Sequence, residues 1–347
     1  MAPPILHLAT LANRNEKPLM PSVVVILPPA IGDVMMAVPL LRELSAAGWS
    51  VDTIADESLS PFAETYPPLG KQYAVPIKQW RKTPIVSDLA GRLRLAFAVR
   101  RARYDALIQV GTGSLGIWLS WFARIPIRVA QDVHHHVLAK RLAFTAIMRQ
   151  RVKTTEYHAA AQNLEFARAL GIEPTIQRPR ASGGGTHVIV APDASLIGRT
   201  LPPAEVARIV EALGQNGHPV LMVGTHGGTA EQIAHDYNLP TSHISAPLER
   251  IVSAVRAAAC VIATDSGIGH LAAVCGTPVV SIFGPGDPAK IAPWSEDMTA
   301  ITPSLPCHPC GRNGCQDSGV STCLTGLPVG RILSAVAVWA AGNDRVA

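Results

Sequence analysis

Short apolar runs alternate with longer stretches of helical spacing along most of the chain, and Gly or Pro marks many of the joins. Val23 to Leu27 (VVVIL) predicts a strand. The turn Pro28-Pro29-Ala30-Ile31-Gly32-Asp33 follows, and VMMAVPLLRELSAAG then predicts a helix that stops at Gly48. A strand is expected over Ser50 to Ile54, a basic helix over Ala90 to Arg103, a strand over Ala106 to Val110 and a helix over Glu156 to Leu170, ending at Gly171. Residues 174–186, PTIQRPRASGGGT, interrupt the periodicity. It then restarts, with strands over His187–Ala191, Val220–Gly224, Cys260–Ala263 and Pro278–Phe283. Helices are expected over Pro203–Asn216, Ala230–Tyr237, Leu248–Ala259 and Ile268–Val274. Alternating units of this kind imply parallel sheets with right-handed crossovers. The expected organisation is a loose arm at 1–21, a Rossmann-like domain at 22–173, a linker at 174–186 and a second Rossmann-like domain at 187–347, with a ligand cleft between the two sheets. The second domain includes a Cys-rich loop at 305–325 and a C-terminal helix.

Composition supports an α/β chain with a large core. The 347 residues are 48% hydrophobic and 16% charged, and aliphatic residues far outnumber aromatic ones, as in parallel sheets covered on both faces. Pro, Gly or charge interrupts each apolar run before the roughly 18 to 20 residues that a bilayer span needs. The first 21 residues lack a basic segment followed by a continuous apolar stretch, so no secretory signal is expected, and a cytoplasmic location is. Charge changes the picture further. Between Lys78 and Lys153, fifteen Lys and Arg face three acids (Asp88, Asp105, Asp132), a net +12 that leaves −7 for the rest of a +5 chain. Such a field favours phosphate-rich partners.

The chemistry concentrates in ATDSGIGHLAAVCGTPVVSIFGPGD, residues 263–287. Asp265, Ser266, Gly267, Gly269 and His270 fall where a strand ends and a helix begins, the position at which an open parallel sheet binds ligands. Free amides, the helix dipole and glycines that permit close approach would cradle a phosphate or diphosphate. The alternative is that Asp265 or Ser266 merely caps the helix and His270 packs internally. Gly284, Pro285 and Gly286 end the next strand on the same side.

Taken as a whole, the segment from Ala263 to Trp294 resembles the C-terminal donor-binding signature of the heptosyltransferases of glycosyltransferase family 9: Asp, Ser or Thr, Gly, two variable positions, His, a helix of small residues, Gly-x-Pro, and an apolar strand ending in an aromatic-Gly-Pro. VVVILPPAIGDVMMAVPLLREL matches the family's N-terminal pattern of strand, Gly-Asp turn and helix with Pro-x-Leu. The resemblance covers most of residues 22–340 and implies a GT-B fold, with acceptor held mainly by the first domain and nucleotide sugar by the second. It makes Asp33 the catalytic base, against the reading of that residue as a helix N-cap. In APDASLIGRTLPPAEV, Arg199 stands where the family has a phosphate-binding lysine, with Leu201 and Pro202 in place of a Trp-Pro pair. The family also tends to place a Glu for the ribose after the next strand, whereas this chain reads VGTHGG there; Gly224 and Thr225 are the donor-side candidates at that point.

The expected reaction is inverting transfer of a heptose or similar sugar from a nucleotide-diphosphate donor, ADP-heptose by resemblance, to a lipopolysaccharide core or related glycan. Asp33 would take the acceptor proton while Ser266, Gly267 and Arg199 stabilise the leaving diphosphate, so no metal is needed for that step. The basic first domain would suit an anionic glycolipid acceptor and peripheral contact with anionic inner-membrane lipid. Gly111-Thr112-Gly113-Ser114-Leu115-Gly116 fits the dinucleotide pattern G-x-G-x-x-G but lacks an acid at the right distance, and is read, with Gly32, as an acceptor-side loop. His134-His135-His136 is read as part of a basic surface rather than a metal site. Cys260 and Cys275 belong in the core. Cys307, Cys310, Cys315 and Cys323, opening with C-x-x-C, suggest a structural zinc or iron site, with disulfides or free thiols as alternatives. A nucleic-acid binder with a zinc knuckle is the competing function, disfavoured because no aromatics are interleaved with the arginines; a nicotinamide oxidoreductase is the third.

Overall fold

The computed structural model describes residues 20–65, 70–111, 113–132, 142–149, 158–175, 178–181, 184–224, 229–237, 239, 242–244 and 248–340. The chain divides into two compact units, Met1–Ile176 and Gln177–Ala347, at a point inside the Pro, Arg and Gly-rich stretch.

The first unit runs β1 (Ser22–Ile26), α1 (Ile31–Ala46), β2 (Ser50–Asp56), a 3-10 segment (Glu57–Thr65), β3 (Gln72–Val75), α2 (Ile77–Lys82), α3 (Leu89–Ala102), β4 (Ala106–Gln109), α4 (Leu115–Ala123), β5 (Ile127–Asp132), β6 (Ala146–Arg149) and α5 (Ala159–Arg168). Its strands form one six-stranded parallel sheet in the order β3-β2-β1-β4-β5-β6. The second unit repeats the plan with β7 (His187–Ala191), α6 (Pro203–Gln215), β8 (Val220–Val223), α7 (Thr229–Asp236), β9 (Ser242–Ile244), α8 (Leu248–Arg256), β10 (Ala258–Thr264), α9 (Gly267–Cys275), β11 (Val279–Ile282), α10 (Pro288–Ile291), β12 (Met298–Ile301) and α11 (Val329–Ala340). Its sheet order is β12-β11-β10-β7-β8-β9.

Each sheet is doubly wound, so the chain reverses direction across the sheet at one place. In the first unit that switch lies between β1 and β4, in the second between β7 and β10. Loops leaving the carboxyl ends of those strand pairs diverge and leave a crevice. The central strands are β-branched and buried on both faces: Val23, Val24 and Val25 in β1, and all seven residues of β10, AACVIAT. Burial of each large aliphatic side chain contributes about 1.5–3 kcal/mol, which fixes these strands as the rigid floor of the crevices.

Sequence periodicity misplaces one junction. Ala258 and Ala259 read as the end of a helix, yet they open β10, where Ala258 pairs with His187 across an irregular register. The edge strands β3, β6, β9 and β12 and the inner strand β5 are not among the strands expected from the sequence. Among the described residues, no helix is long and apolar enough to cross a membrane.

Candidate active site

In the first unit, the switch-point crevice is a pocket of about 320 Å³ walled by residues of β1, β4 and the loops that follow them, together with α1, α2 and α5. Asp33 lies in its wall, in the first turn of α1. Ala30, not Asp33, is the N-cap, and no side chain caps this helix, so the carboxyl of Asp33 is not consumed in holding the helix end. Asp33 is open to solvent, but protein crowds its carboxyl within the recess. That desolvation raises its pKa, and Arg81, brought from α2 into the same wall, opposes the rise. A carboxylate with a raised pKa is the stronger proton acceptor.

Carboxamides supply much of the remaining wall. Gln109 ends β4 almost fully buried, and its side chain shapes the next loop: Oε1 accepts from the amide of Gly116 at 2.8 Å, and Nε2 donates to the carbonyl of Gly113. The G-x-G-x-x-G stretch is therefore closed by a glutamine of its own strand. Gly111, at φ +82°, and Gly113 line the pocket; Gly32 does not, and Thr112 lies outside the described residues. Gln131, Gln162 and Asn163 complete this polar surface, and Asn163 Nδ2 also ties α5 to α1 by donating to the Met36 carbonyl at 3.0 Å. Sequence reading missed all four carboxamides and Arg81. A signal existed for one of them, since Gln109 is a polar residue that closes the otherwise apolar strand ALIQ.

The second crevice, at the β7–β10 switch, has a different chemistry. Ser266 is the N-cap of α9 in extended backbone (φ −146°, ψ 168°), yet its side chain makes no capping hydrogen bond. Its Oγ is buried without a partner among the described residues, as is Nε of Arg199. Ser266 thus takes the N-cap position without capping through its side chain, and two buried donors are left without a partner among the described residues. Arg199 is fixed from the other side: its Nη1 lies 2.9 Å from Asp265 Oδ2, and its carbonyl accepts from Thr264 Oγ1. Burial raises the pKa of Asp265, and the Arg199 guanidinium counters it. Gly286 packs directly on this carboxylate; a Cβ there would come within 2.4 Å of Asp265 Oδ2. Arg199, Asp265, Ser266, Gly267 and Gly284–Gly286 are thereby gathered at one end of the sheet. His270 is only 6% exposed, so little of it remains for a ligand. Gly224 follows β8, while Thr225 lies outside the described residues, as do His134–His136.

The Cys-rich loop supports this crevice. Gly198, next to Arg199, donates its amide to Asn313 Oδ1 at 3.0 Å and accepts from Ser321 Oγ through its carbonyl. The fit is backbone on backbone, since a Cβ on Gly198 would meet the Gly314 amide at 2.2 Å. Gly311 donates to the Pro285 carbonyl at 2.8 Å, and the fully buried Leu324 packs on Gly284. Cys307, Cys310 and Cys315 are exposed and Cys323 is half-buried. The charge of Cys315 and Cys310 helps raise the Cys323 pKa, after burial, whereas hydrogen bonds from Thr322 lower that of Cys315. Among the described residues, no three His, Cys, Asp or Glu side chains are arranged to hold a metal ion. Backbone bonds within the loop, such as Cys315 N to the Val320 carbonyl at 2.7 Å, help set its shape.

Residues 92–320 match the model of "Glycosyltransferase family 9 (heptosyltransferase)". The chain belongs to glycosyltransferase family 9. It is similar to lipopolysaccharide heptosyltransferase 1 of Pseudomonas aeruginosa, 23% identical over 308 residues covering 82% of this chain and 85% of that protein. Among solved structures, Escherichia coli ADP-heptose lps heptosyltransferase II superposes with a TM-score of 0.71 at 17% identity, covering 93% of this chain and 99% of that one. The E. coli heptosyltransferase WaaC with ADP superposes at 0.70 with 18% identity, covering 90% and 98%. The family 9 chain therefore has the GT-B fold of those enzymes and is a glycosyltransferase.

Proposed function

We propose that this family 9 enzyme transfers a heptose, with inversion, from ADP-heptose to a hydroxyl of a lipopolysaccharide core. The observation that carries the reading is a pair of buried donors without a partner among the described residues, Ser266 Oγ at the start of α9 and Arg199 Nε in the segment after β7. Together with the free amides of that helix they suit a diphosphate leaving group. Asp33, ionised and of raised basicity, takes the proton of the attacking hydroxyl, while Arg81 and the carboxamides of Gln109, Gln131, Gln162 and Asn163 suit a polyhydroxylated acceptor carrying an anionic group. The names of the relatives support heptose and lipopolysaccharide as the substrate classes. The test is product analysis: ADP-heptose incubated with enzyme and deacylated core acceptor should give a glycoside of inverted anomeric configuration by NMR. A product of retained configuration, or hydrolysis alone, would contradict the reading.

Two finer proposals accompany it. The first unit is proposed to rest on anionic membrane lipid through α3 and α4, where Phe97 (59% exposed) and Trp121 (62% exposed) stand near exposed Arg94, Arg101 and Arg103. Not every cation of the +12 segment is available: Arg92 is buried on Trp80, and Arg128 binds the carbonyls of Ile125 and Ala143. Binding to phosphatidylglycerol vesicles but not phosphatidylcholine vesicles is expected, with loss in Trp121→Ala. The Cys-rich loop is proposed to take zinc or iron, a reading favoured by the shared electrostatic neighbourhood of Cys310, Cys315 and Cys323 and outside the transfer chemistry. Elemental analysis should find about one ion per chain; all four thiols titrating freely without released metal would contradict it.

A further inference from the structure

In a doubly wound nucleotide-binding sheet, the strand beside the first one commonly ends in an acid that accepts hydrogen bonds from the ribose hydroxyls. Here that strand is β8, which ends at Val223 and is followed by Gly224. Neither Gly224 nor the sequence THGG that follows it supplies a carboxylate, so a carboxylate for the ribose of the proposed donor has to come from elsewhere.

The structure provides a carboxylate one strand away. Asp193 follows β7 by two residues, and its Oδ2 is buried with no hydrogen-bond partner among the described residues. The side chain leans toward β8: a Cβ built on Gly224 would come within 2.9 Å of that oxygen, and within 2.7 Å of Ala230 Cβ. Gly224 is bare because the carboxylate of Asp193 and the first turn of α7 fill the space a side chain would need. The cations and donors lie on the opposite flank of β7. Arg199 is tied to β10 through Thr264 and to Asp265, and Ser266 opens α9 beyond β10. Across the sheet, diphosphate donors thus sit over β7 and β10, while an acceptor-only carboxylate sits over β7 and β8. Diphosphate next to Asp193 would be repelled; a hydroxyl pair next to it would be bound.

We infer that Asp193 is the ribose-reading residue of this enzyme, accepting a hydrogen bond from a 2′- or 3′-hydroxyl of the donor nucleoside and replacing the acid absent from the end of β8. The inference rests on the donor crevice proposed above. It also accounts for a buried carboxylate oxygen without a hydrogen-bond partner among the described residues.

Calorimetric titration of the full-length enzyme with ADP, 2′-deoxy-ADP and 3′-deoxy-ADP tests it, alongside Asp193→Asn and a melting measurement. Wild type should bind ADP roughly ten- to a hundredfold more tightly than at least one of the deoxy forms, the range expected for a hydrogen bond to a charged group. Asp193→Asn should weaken ADP by a similar factor, bind ADP and that deoxy form alike, and melt no lower than wild type. A variant that keeps the wild-type ratio of ribo to deoxy affinity overturns the inference, as does a variant that merely unfolds earlier or changes only the preference for ADP over GDP. Wild type that binds ADP without distinguishing the deoxy forms also overturns it and leaves the diphosphate site standing. Failure of ADP, GDP, UDP and dTDP all to bind would remove the donor crevice itself, and this inference with it.

Discussion

The two units share a topology and differ in what they put at its switch point. Between β1 and β4 the crevice is lined by one carboxylate, one guanidinium and four carboxamides, groups that meet hydroxyls and steer one proton. Between β7 and β10 it holds donors without a partner among the described residues, a guanidinium fixed by Asp265 and a helix start with no side-chain cap, groups suited to a polyanion. The same strand order serves both, so the difference lies in the side chains that the strand ends and the neighbouring helices place around the crevice. Fold alone says where a ligand sits; those side chains say which ligand.

The comparison breaks most sharply at Asp33. Replacing it with Asn should lower kcat by about 10²–10⁴-fold, the usual contribution of a positioned base, while donor affinity stays at the wild-type value. Arg199→Ala should do the reverse, weakening donor binding by roughly ten- to a hundredfold through lost charge-assisted hydrogen bonds, with calorimetry as the readout. It should also lower the melting temperature, because Asp265 loses the partner that offsets its burial. Leu324→Ala should cost about 2–5 kcal/mol in chemical denaturation, since Leu324 joins the Cys-rich loop to the core of the second unit. Asn313→Ala, which removes the acceptor for the Gly198 amide, should cost about 0.5–1.5 kcal/mol and raise the donor KM a few-fold without touching Asp33 chemistry.

The smallest effect is one of stability against pH. Crowding raises the Asp33 pKa in the folded state, so its ionised form opposes folding: the contribution favours the folded state below the ordinary carboxylate range and is lost as pH rises through the folded value. Asp33→Asn should therefore melt slightly higher than wild type at pH 7, a gain that disappears near pH 3. The acid limb of the pH–rate profile should likewise sit above the ordinary carboxylate value.

Much of this was legible beforehand. The runs VVVIL and ACVIAT are β-branched and uninterrupted, and buried central strands need such sequences. The Asp265–His270 segment announced itself because small and polar residues rarely crowd a helix start without reason. What stayed hidden depends on distant residues meeting. Nothing in RNGCQDSGVS reveals that Asn313 and Ser321 hold Gly198, 115 and 123 positions away. Arg81 is one of fifteen cations in its stretch, and only its place on α2 brings it to Asp33. His270 is the opposite case: the pattern marked it as a ligand group, and packing buries it. Asp193 passed unnoticed because an acid in a Pro-Asp-Ala-Ser stretch is unremarkable until its oxygen is found buried and without a partner among the described residues.

Chemistry in one unit and donor capture in the other is the claim on which the rest depends. Calorimetric titration of ADP-heptose into Asp33→Asn and Arg199→Ala, side by side with wild type, tests it most directly. Asp33→Asn should match wild type, and Arg199→Ala should bind roughly ten- to a hundredfold more weakly. Wild-type affinity in Arg199→Ala, or loss of donor binding in Asp33→Asn, would contradict the assignment.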